Sequence, residues 1–505
     1  MAGFYWSADR SQQMLLPPCV GDYVSRDHPV WFVLDVVDVI DLSAFHGEYV
    51  DGGVGRPAYD PVVMLAVLIW GYANGVRSSR KIALACREDL AFVAVCGGLR
   101  PDFRTVARFR QVHESALRDV FCEVLRLCQR CGLVNLGTIA IDGTKVAADA
   151  SVGKNRSKSW IEAKVDEILA EAAAADQAGQ FDIEGVLPEA LASPGSRRER
   201  LVRALEEIRS EEAEADAGRD AKFEKQRTEA EQGRKPKGRK PSGPADALAH
   251  AQLELIAAHA KLPDADSKAA QERALSLFIK AIRTVRAAVE AVAAAGPGPE
   301  RQANITDPES RVMPTANRGW LQGYNAQNIV TEDQVVVAAS VSNHPNDVGE
   351  LVPMLKEMNT NLASVGADPE QVGVLLADAG YWSETNAVAE GPDRLIATQK
   401  DWKQRKAAQD LGHTSGPPPE TATLTEQMEH RLRTVEGATA YKKRSGTVEP
   451  VFGQIKANQG MRGFARRGLD AASSEWSFMA AVHNIKKLMT HANGRPLRTV
   501  LNVAD

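Results

Sequence analysis

Residues 136–151 read LGTIAIDGTKVAADAS, and this stretch decides the fold prediction. It alternates and is rich in β-branched residues, which predicts a strand, a turn and a second strand. Two later segments are also interpreted as strands: residues 323–343 (GYNAQNIVT and QVVVAASVSN) and residues 372–382 (VGVLLADAGYW). Because predicted helices lie between some of these strands, the pattern indicates an α/β sheet.

Acidic residues follow two of these apolar strands, and a third acid lies in a basic segment. Asp142 follows TIAI, Asp378 follows VLLA, and Glu449 is the only acid between residues 438 and 468. A carboxylate after an unbroken apolar run is costly to bury without a partner or a metal ion. Three acids converging from separate elements suit two-metal cleavage of a phosphodiester, although a salt bridge would explain each acid singly.

The chain before residue 133 predicts a series of helices. Apolar residues recur there at three- and four-residue spacing, Pro101 and Asp102 mark a helix start, and Thr105 is a candidate cap. Several arginines cluster around these helices, namely Arg77, Arg80, Arg104, Arg108 and Arg110. We interpret the segment as a helix-turn-helix-like DNA-binding domain, with a helical bundle carrying solvated arginines as the alternative.

A long polar and alanine-rich stretch separates the first predicted strands from the later ones. Residues 154–299 combine helical spacing with mixed charges, which predicts a helical hairpin or a coiled coil around a flexible segment. In that segment, Lys237–Pro241 (KGRKP) indicates either a minor-groove contact or a solvated linker.

Composition and charge limit the possible classes of protein. The chain has 505 residues, 44% of them hydrophobic and 25% charged, which is typical of a globular protein with two or three domains. The net charge of −5 argues against a uniformly basic surface, but residues 438–468 contain seven Lys or Arg. Since the chain shows neither a membrane-spanning run nor a signal peptide, we expect a cytoplasmic protein.

The cysteines predict core thiols. All six lie between Cys19 and Cys131, which is a poor framework for disulfides and fits a reducing compartment. Cys128 and Cys131 form a CxxC in an apolar helical stretch without a second ligand pair, so we favour buried thiols over zinc ligands.

Five further residues are interpreted structurally or left open. Asp347 is expected to cap the following helix rather than bind a metal ion, and Asp307 is expected in a turn. Tyr381 and Trp382 either stack on a base or pack in the core. His483 lies on an apolar helix face and is expected to be a hydrogen-bonded core histidine.

Taken in order, these segments resemble the DDE transposases of bacterial insertion sequences. The resemblance covers most of the chain and is carried by GRPAYDPVVMLAVLIWGYANGVRSSRKIALACRED (residues 55–89), RPDFRTVARFR (100–110), IDGTKV (141–146), NITDPESRVM (304–313), QGYNAQNIV (322–330), HPNDVGEL (344–351), LADAGYWS (376–383) and VEPVFGQIK (448–456). It implies that Asp142, Asp378 and Glu449 are the catalytic acids and the metal ligands, with two Mg²⁺ or Mn²⁺ ions.

Relatives of that family carry a Tyr, Arg, Glu and Lys signature, which Tyr441, Arg444, Glu449 and Lys456 match here. Arg444 lies one residue further from Glu449 than in the commoner pattern, so Lys443 is a second candidate for the arginine position. Arg444 and Lys456 suit phosphate binding. Glu449 and Lys456 are about two helical turns apart and are expected on one side of a helix.

The predicted fold is α/β, with an RNase H-like catalytic domain that is interrupted by a long helical insertion and preceded by an all-helical N-terminal domain. The predicted boundaries are 1–132 for DNA binding, 133–153 with 300–490 for catalysis, 154–299 for the insertion and 491–505 for a tail.

The predicted function is metal-dependent cleavage and transfer of DNA strands. Terminal inverted repeats and target DNA are the expected partners, bound by a homodimer in part through Arg104 and Arg108. The alternatives are a regulator that binds DNA without catalysis, an RNase H-like nuclease without strand transfer, and a helical scaffold protein.

Overall fold

The computed structural model describes residues 19–47, 58–177, 197–236, 241, 243–263, 267–296, 300–315, 319–400, 403, 406, 410 and 412–501. The chain divides into two compact units, Met1–Val152 with Ser310–Asp505 and Gly153–Glu309. The first unit combines helices with a mixed sheet, which confirms the α/β prediction.

Helices precede the sheet in the first unit. They are α1 (Pro29–Val39), α2 (Ser43–His46), α3 (Pro61–Ala73), α4 (Ser79–Glu88), α5 (Leu90–Val95), α6 (Phe103–Val112) and α7 (Glu114–Arg130). Proline is the first residue of α1 and of α3. The N–H group at this position has no acceptor within the helix, so proline, which lacks it, costs no hydrogen bond there. The carboxylate of Asp102 caps α6 by accepting the N–H groups of Arg104 and Thr105, so the predicted cap at Thr105 is wrong.

The strands, in chain order, are β1 (Thr138–Ala147), β2 (Asn155–Ser157), β3 (Gln302–Asn304), β4 (Arg311–Pro314), β5 (Trp320–Thr331), β6 (Val336–Ser342), β7 (Val374–Ala377) and β8 (Asp393–Ile396). In the sheet of the first unit the order is β4-β5-β1-β7-β8, and β6 also pairs with β5. β1 is antiparallel to β5 and parallel to β7, which is parallel to β8. β1 therefore lies at the centre of the sheet.

β1 is a single strand, so the predicted turn within it is wrong. Its pairing with β5 runs unbroken from Ile139 opposite Thr331 to Ala147 opposite Gly323. Gly143 interrupts neither the strand nor its register with β5. A side chain at this position would overlap the amide of Gln327, the β5 residue opposite. The glycine thus allows close approach of neighbouring side chains and does not mark a turn.

The described residues of the second unit are helical apart from the pairing of β2 with β3 and the loops between elements. Its helices are α8 (Lys158–Gln177), α9 (Arg197–Glu231), α10 (Pro244–Ala260) and α11 (Lys268–Ala294). α11 packs along α10, and its buried residues Ala274, Ala281 and Ala288 recur every seven residues, as in helices that pack side by side. Asp307 lies in the bend after β3, whereas Lys237–Lys240 of the basic KGRKP segment lies outside the described residues.

Helices of the first unit follow and interleave with the last strands. They are α12 (Leu351–Ser364), α13 (Glu384–Val388), α14 (Leu424–Arg433), α15 (Val435–Thr447), α16 (Glu449–Gly453), α17 (Leu469–Ala492) and α18 (Leu497–Val500). A π-helical turn, Gln454–Asn458, continues α16. None of the helices in the described ranges is long and apolar enough to cross a membrane.

One hydrophobic core joins the helices and the sheet of the first unit. It includes Ile139 and Ile141 of β1, Leu375 of β7 and Trp476 of α17, all fully buried. α17 packs against both α7 and β6, so it connects the N-terminal helices with the sheet. Separate DNA-binding and catalytic domains within this unit stay a prediction.

Candidate functional site

Two of the predicted acids lie side by side at the centre of the sheet, Asp142 on β1 and Asp378 directly after β7. Ala140 of β1 is opposite Leu376 of β7, and continuing this parallel register places Asp142 opposite Asp378. Asp378 directly follows β7, and its carboxylate accepts a hydrogen bond of 2.8 Å from the Gly380 N–H, which begins a short 3₁₀ turn. The carboxylates are close enough that the charge of Asp378 raises the pKa of Asp142.

Arg444 connects the first acid to the third. Its guanidinium on α15 lies 3.2 Å from Asp142 Oδ2 and 3.5 Å from Glu449 Oε1. Only 6% of the Arg444 side chain is exposed, whereas Glu449, the first residue of α16, is 56% exposed. Lys443 points elsewhere and pairs with Glu332 at 2.8 Å, so Arg444 is the basic residue beside the acids. The fold thus brings the three predicted acids into one region.

Burial dominates the electrostatics of Asp142. Burial raises the pKa of this carboxyl most strongly, the adjacent Arg444 lowers it, and the charges of Asp378 and Asp347 raise it, so that together they bring the pKa to about 6. At neutral pH the carboxylate is therefore ionised at an electrostatic cost, which a cation close by would reduce.

The side chains around Asp142 fit a divalent cation in charge and in donor chemistry. Mg²⁺ prefers carboxylate oxygens, at about 2.0–2.1 Å. Within the described part of the chain, however, no three His, Cys, Asp or Glu side chains are close enough together to hold one ion. The positive charge between Asp142 and Glu449 belongs to Arg444. Binding of a metal ion would require these side chains to move closer together.

Lys456 contacts the strand that carries the first acid. Its ammonium donates hydrogen bonds to the Thr144 hydroxyl and, at 3.1 Å, to the carbonyl oxygen of Lys145. Thr144 is two residues beyond Asp142 and hence on the same face of β1. Burial lowers the pKa of the Lys456 ammonium. Lys456 thus adds a second basic group near the acids, from the π-helical turn after α16.

Asp347 lies in this region, although the sequence pattern predicts a different role for it. The N-cap of α12 is Glu350, without a side-chain cap, so the predicted capping role of Asp347 is wrong. Asp347 Oδ1 instead accepts hydrogen bonds from Asn325 (2.7 Å), Gln327 (2.8 Å) and Lys145 (3.2 Å). One signal in the sequence points to this role: Asn325 and Gln327 alternate along a strand that is buried. Amides that become buried need hydrogen-bond partners, and Asp347 is such a partner.

Burial decides the remaining aromatic and histidine predictions. Tyr381 is fully buried and donates its hydroxyl to Gln327 Oε1, so stacking on a base is wrong for this ring. Trp382 and Tyr441 are half-buried against the main core.

His483 is buried with its Nε2 2.9 Å from a backbone carbonyl oxygen, and burial lowers its pKa to about 4. The prediction of a hydrogen-bonded core histidine is confirmed.

Two of the N-terminal arginines serve the interior of the first unit. Arg110 is buried and donates a hydrogen bond of 3.1 Å to the Tyr72 hydroxyl. Arg77 pairs with Glu475 at 3.1 Å, with 14% of its side chain exposed. The interpretation of Arg77 and Arg110 as DNA contacts is therefore wrong, since their guanidinium groups are engaged inside the protein.

Other N-terminal arginines surround an exposed aromatic ring. The guanidinium groups of Arg80 and Arg104 lie 5.5 Å and 5.7 Å from the centre of the Phe103 ring, which is within the range of cation–π interaction. Phe103 is 40% exposed, and Arg108 is exposed on the same helix, α6. We call Arg80, Phe103, Arg104 and Arg108 the Phe103 patch.

Acidic partners neutralise much of the basic C-terminal segment. Besides the Arg444 and Lys443 pairs, Arg466 pairs with Glu114, and Arg467 pairs with Asp149 at 3.0 Å. Lys442 and Arg462 are exposed. The seven positive charges counted in the sequence thus overstate the basic surface that this segment offers to DNA.

The cysteines of the described residues are all free thiols. Cys128 is buried and Cys131 is half-buried at the end of α7, and burial raises the pKa of both thiols. Both thiols therefore stay protonated at neutral pH, as expected for core cysteines.

Comparison with known families gives two matches. The family described as Transposase domain (DUF772) matches residues 18–112, and the family described as Transposase DDE domain matches residues 406–489, which include Arg444, Glu449 and Lys456. Asp142 and Asp378 lie outside both matched segments. No curated protein and no solved structure matches the chain. The two family matches together support a DDE-type transposase.

Proposed function

We propose that this chain is a transposase that cleaves and joins DNA strands at the ends of an insertion sequence, with Asp142, Asp378 and Glu449 as catalytic acids. The convergence of the three acids from β1, from the turn after β7 and from α16 carries the proposal. The match to the DDE domain includes the third acid and supports this chemistry.

In this proposal the catalytic part is RNase H-like. The strand order β6-β5-β1-β7-β8, with β5 antiparallel to β1 and β7 and β8 parallel to it, supports this class. β7 pairs with β1 only as far as Ala140, so Asp142 lies beyond the paired region. Asp142 and Asp378 can therefore face a cleft at that edge.

The acids would hold the metal ions that the reaction needs. Mg²⁺ or Mn²⁺, when bound as a pair, activates the attacking oxygen and stabilises the leaving oxygen of a phosphodiester. Asp142 and Asp378 would hold the ions from the rigid sheet, and Glu449 from the start of α16. The exposed Glu449 side chain can change rotamer without disturbing the core, which permits closer approach to the two aspartates.

Basic residues beside the acids would hold the DNA strand. A guanidinium pairs equally well with a carboxylate or a phosphate, so Arg444 can exchange Asp142 for a phosphate oxygen. Lys456 offers a positive charge on the same face of β1. Tyr441, on the same helix as Arg444, is a further proposed DNA contact.

The Phe103 patch is the proposed contact with duplex DNA outside the catalytic region. It combines three exposed arginines with an exposed ring on α4 and α6, within the segment that matches the DUF772 transposase domain. Arginines at such a surface bind phosphates and position the duplex. Terminal inverted repeats and target DNA are the proposed ligands, and a homodimer is proposed because two element ends must meet in one complex.

The proposal is tested by incubating the purified full chain with Mg²⁺ or Mn²⁺, a labelled duplex carrying the element's ends and a supercoiled target. Nicked ends and joined product are expected, and both should disappear with chelator. Nicking without joining would identify a nuclease. Duplex binding without nicking, in either metal, would contradict the catalytic assignment and favour a DNA-binding regulator.

A further inference from the structure

Hydrogen bonds through Asp347 connect the strand of the first acid with the turn of the second. Gln327, which lies opposite Gly143 on β5, donates its Nε2 to Asp347 Oδ1 at 2.8 Å. The Oε1 atom of the same Gln327 amide accepts a hydrogen bond from the Tyr381 hydroxyl, and the side chains of Gln327 and Tyr381 are both fully buried. Tyr381 ends the 3₁₀ turn that begins after Asp378, so the chain of bonds reaches the second acid.

A buried asparagine binds the loop of Asp347 to that same turn. The Asn386 amide nitrogen donates hydrogen bonds of 2.7 Å to the carbonyl oxygens of Val348 and Tyr381. Val348 is the neighbour of Asp347, and Asn386 is only 4% exposed. Since an amide NH₂ has two donors, this one side chain holds both segments.

Glycines beside the two acids leave room for the Asp347 carboxylate. A Cβ on Gly143 would lie 2.7 Å from Asp347 Oδ1, too close for a real side chain. A Cβ on Gly380 would lie 3.4 Å from Asp347 Oδ2 and 3.0 Å from Asp378 Oδ1. The carboxylate of Asp347 therefore lies against the residue after Asp142 and shares the space beside Gly380 with Asp378.

A lysine of β1 pairs with one carboxylate oxygen of Asp347. Lys145, three residues beyond Asp142 on β1, lies 3.2 Å from Oδ1, and the two side chains are 18% and 27% exposed. The donors from Lys145, Asn325 and Gln327 all converge on this oxygen. A charged acceptor with three donors is strongly oriented, since hydrogen bonds to ionised groups are the stronger ones.

We propose that Asp347 is a positioning residue for the acidic site. By holding Gln327 and Tyr381, it fixes the Asp378 turn against β1 and so sets the separation at which Asp142 and Asp378 bind metal. This inference rests on the function proposed above. Asp347 acts through the neighbouring side chains, and no direct contact with the metal is assigned to it.

The test compares two variants of the full-length protein: Asp347→Asn removes the charge of the acceptor on which the three donors converge, and Tyr381→Phe removes the hydroxyl that donates to Gln327. Mn²⁺ binding is measured by electron paramagnetic resonance, and nicking rates are measured against Mn²⁺ and DNA concentration. Asp347→Asn should raise the Mn²⁺ concentration for half-maximal binding about tenfold or more, and Tyr381→Phe should act in the same direction. Both should lower kcat while the DNA Kd changes by less than about twofold.

The matched control is Asp368→Asn, an exposed aspartate that caps the 3₁₀ helix Pro369–Gln371. It should leave Mn²⁺ binding and nicking unchanged. Folded Asp347→Asn with wild-type Mn²⁺ affinity would overturn the inference while leaving the proposed function intact. If Asp347→Asn does not fold, unchanged Mn²⁺ binding in Tyr381→Phe overturns it equally. A folded wild type that neither binds Mn²⁺ nor nicks DNA would instead overturn the proposed function, and the inference with it.

Discussion

The guanidinium of Arg444 lies 3.2 Å from Oδ2 of Asp142, which joins α15 to the central strand of the sheet. The same arginine reaches Glu449, so one fixed cation lies among the acidic side chains. Its charge opposes the rise in the pKa of Asp142 that burial and the neighbouring acids produce. Charge balance therefore contributes to the stability of this region together with packing.

Asp142→Asn should reduce metal-dependent nicking by at least about a hundredfold, because the metal pair supplies several kcal/mol to the transition state and loses a ligand. Duplex binding should persist, since the remaining basic groups are unchanged. Nicking assays and DNA-binding titrations measure the two effects. Asp149→Asn is the control, as Asp149 is 51% exposed and pairs with Arg467. Unreduced nicking by pure Asp142→Asn protein would remove Asp142 from the mechanism.

Arg444→Ala should lower the free energy of unfolding in metal-free buffer by about 2–4 kcal/mol, because it leaves the half-buried Asp142 carboxylate without its cation. Arg444→Lys should lose less, since it keeps the charge. Urea denaturation at pH 7 measures both values. As a control, Arg126→Ala breaks a more exposed pair with Glu123 and should cost less than about 1 kcal/mol. Equal losses for Arg444→Ala and Arg126→Ala would argue against the charge-balance explanation.

Gly143→Ala should destabilise the fold by about 1–3 kcal/mol, because the added methyl group meets the Gln327 amide and the Asp347 carboxylate. Thermal unfolding and Mn²⁺ binding are the measurements, and both should be impaired. The matched control is Gly446→Ala, where no atom lies within 4 Å of the added Cβ. Wild-type stability of Gly143→Ala would show that this part of the sheet has spare room.

His483 should make stability depend on acidity. Burial lowers its folded-state pKa from 6.5 to about 4, so the unfolded chain takes up the proton first as the pH falls. The contribution of His483 to the free energy of unfolding is therefore highest above about pH 6.5 and falls as the pH is lowered toward about 4. Relative to His483→Gln, the wild type should lose up to about 3 kcal/mol over this range. Urea denaturation of both proteins at pH 7 and pH 5 checks this.

The variant comparison in that experiment is needed because Asp142 acts in the opposite direction. Its raised pKa gives stability that is present at low pH and lost as the pH rises from about 4 to about 6. The difference between wild type and His483→Gln cancels this contribution. A difference that stays constant between pH 7 and pH 5 would contradict the burial-induced shift.

Reversing charge in the Phe103 patch should weaken DNA binding. The double change Arg104→Glu with Arg108→Glu should lower affinity for every duplex sequence and reduce the slope of log affinity against log salt by about 2, since each phosphate contact contributes about 0.9. Fluorescence anisotropy at several salt concentrations measures the slope. Arg130→Glu, at an exposed position in the last turn of α7, is the control. An unchanged slope would place the DNA contact elsewhere.

Local pattern in the chain was sufficient for the main elements. Apolar and β-branched residues recur within a few positions around Asp142 and before Asp378, which predicts strands there, and the structure has β1 and β7 at these places. Local pattern also marks the three acids as candidates, since each lies directly after an apolar run or within a basic one. Their catalytic role is implied by the resemblance to DDE transposases and stays a prediction. His483 is likewise predicted correctly from local pattern.

Contacts between distant segments decided the rest. Asp142 lies opposite Asp378 only through the register of β1 with β7, and Asp347 finds its partners on β1 and β5 rather than in the helix that follows it. The packing of α6 buries Arg110 and places its guanidinium where the Tyr72 hydroxyl accepts a hydrogen bond from it. Sequence spacing describes neighbours within a few residues, whereas register and burial arise from contacts between residues far apart in the chain, which only the folded molecule brings together.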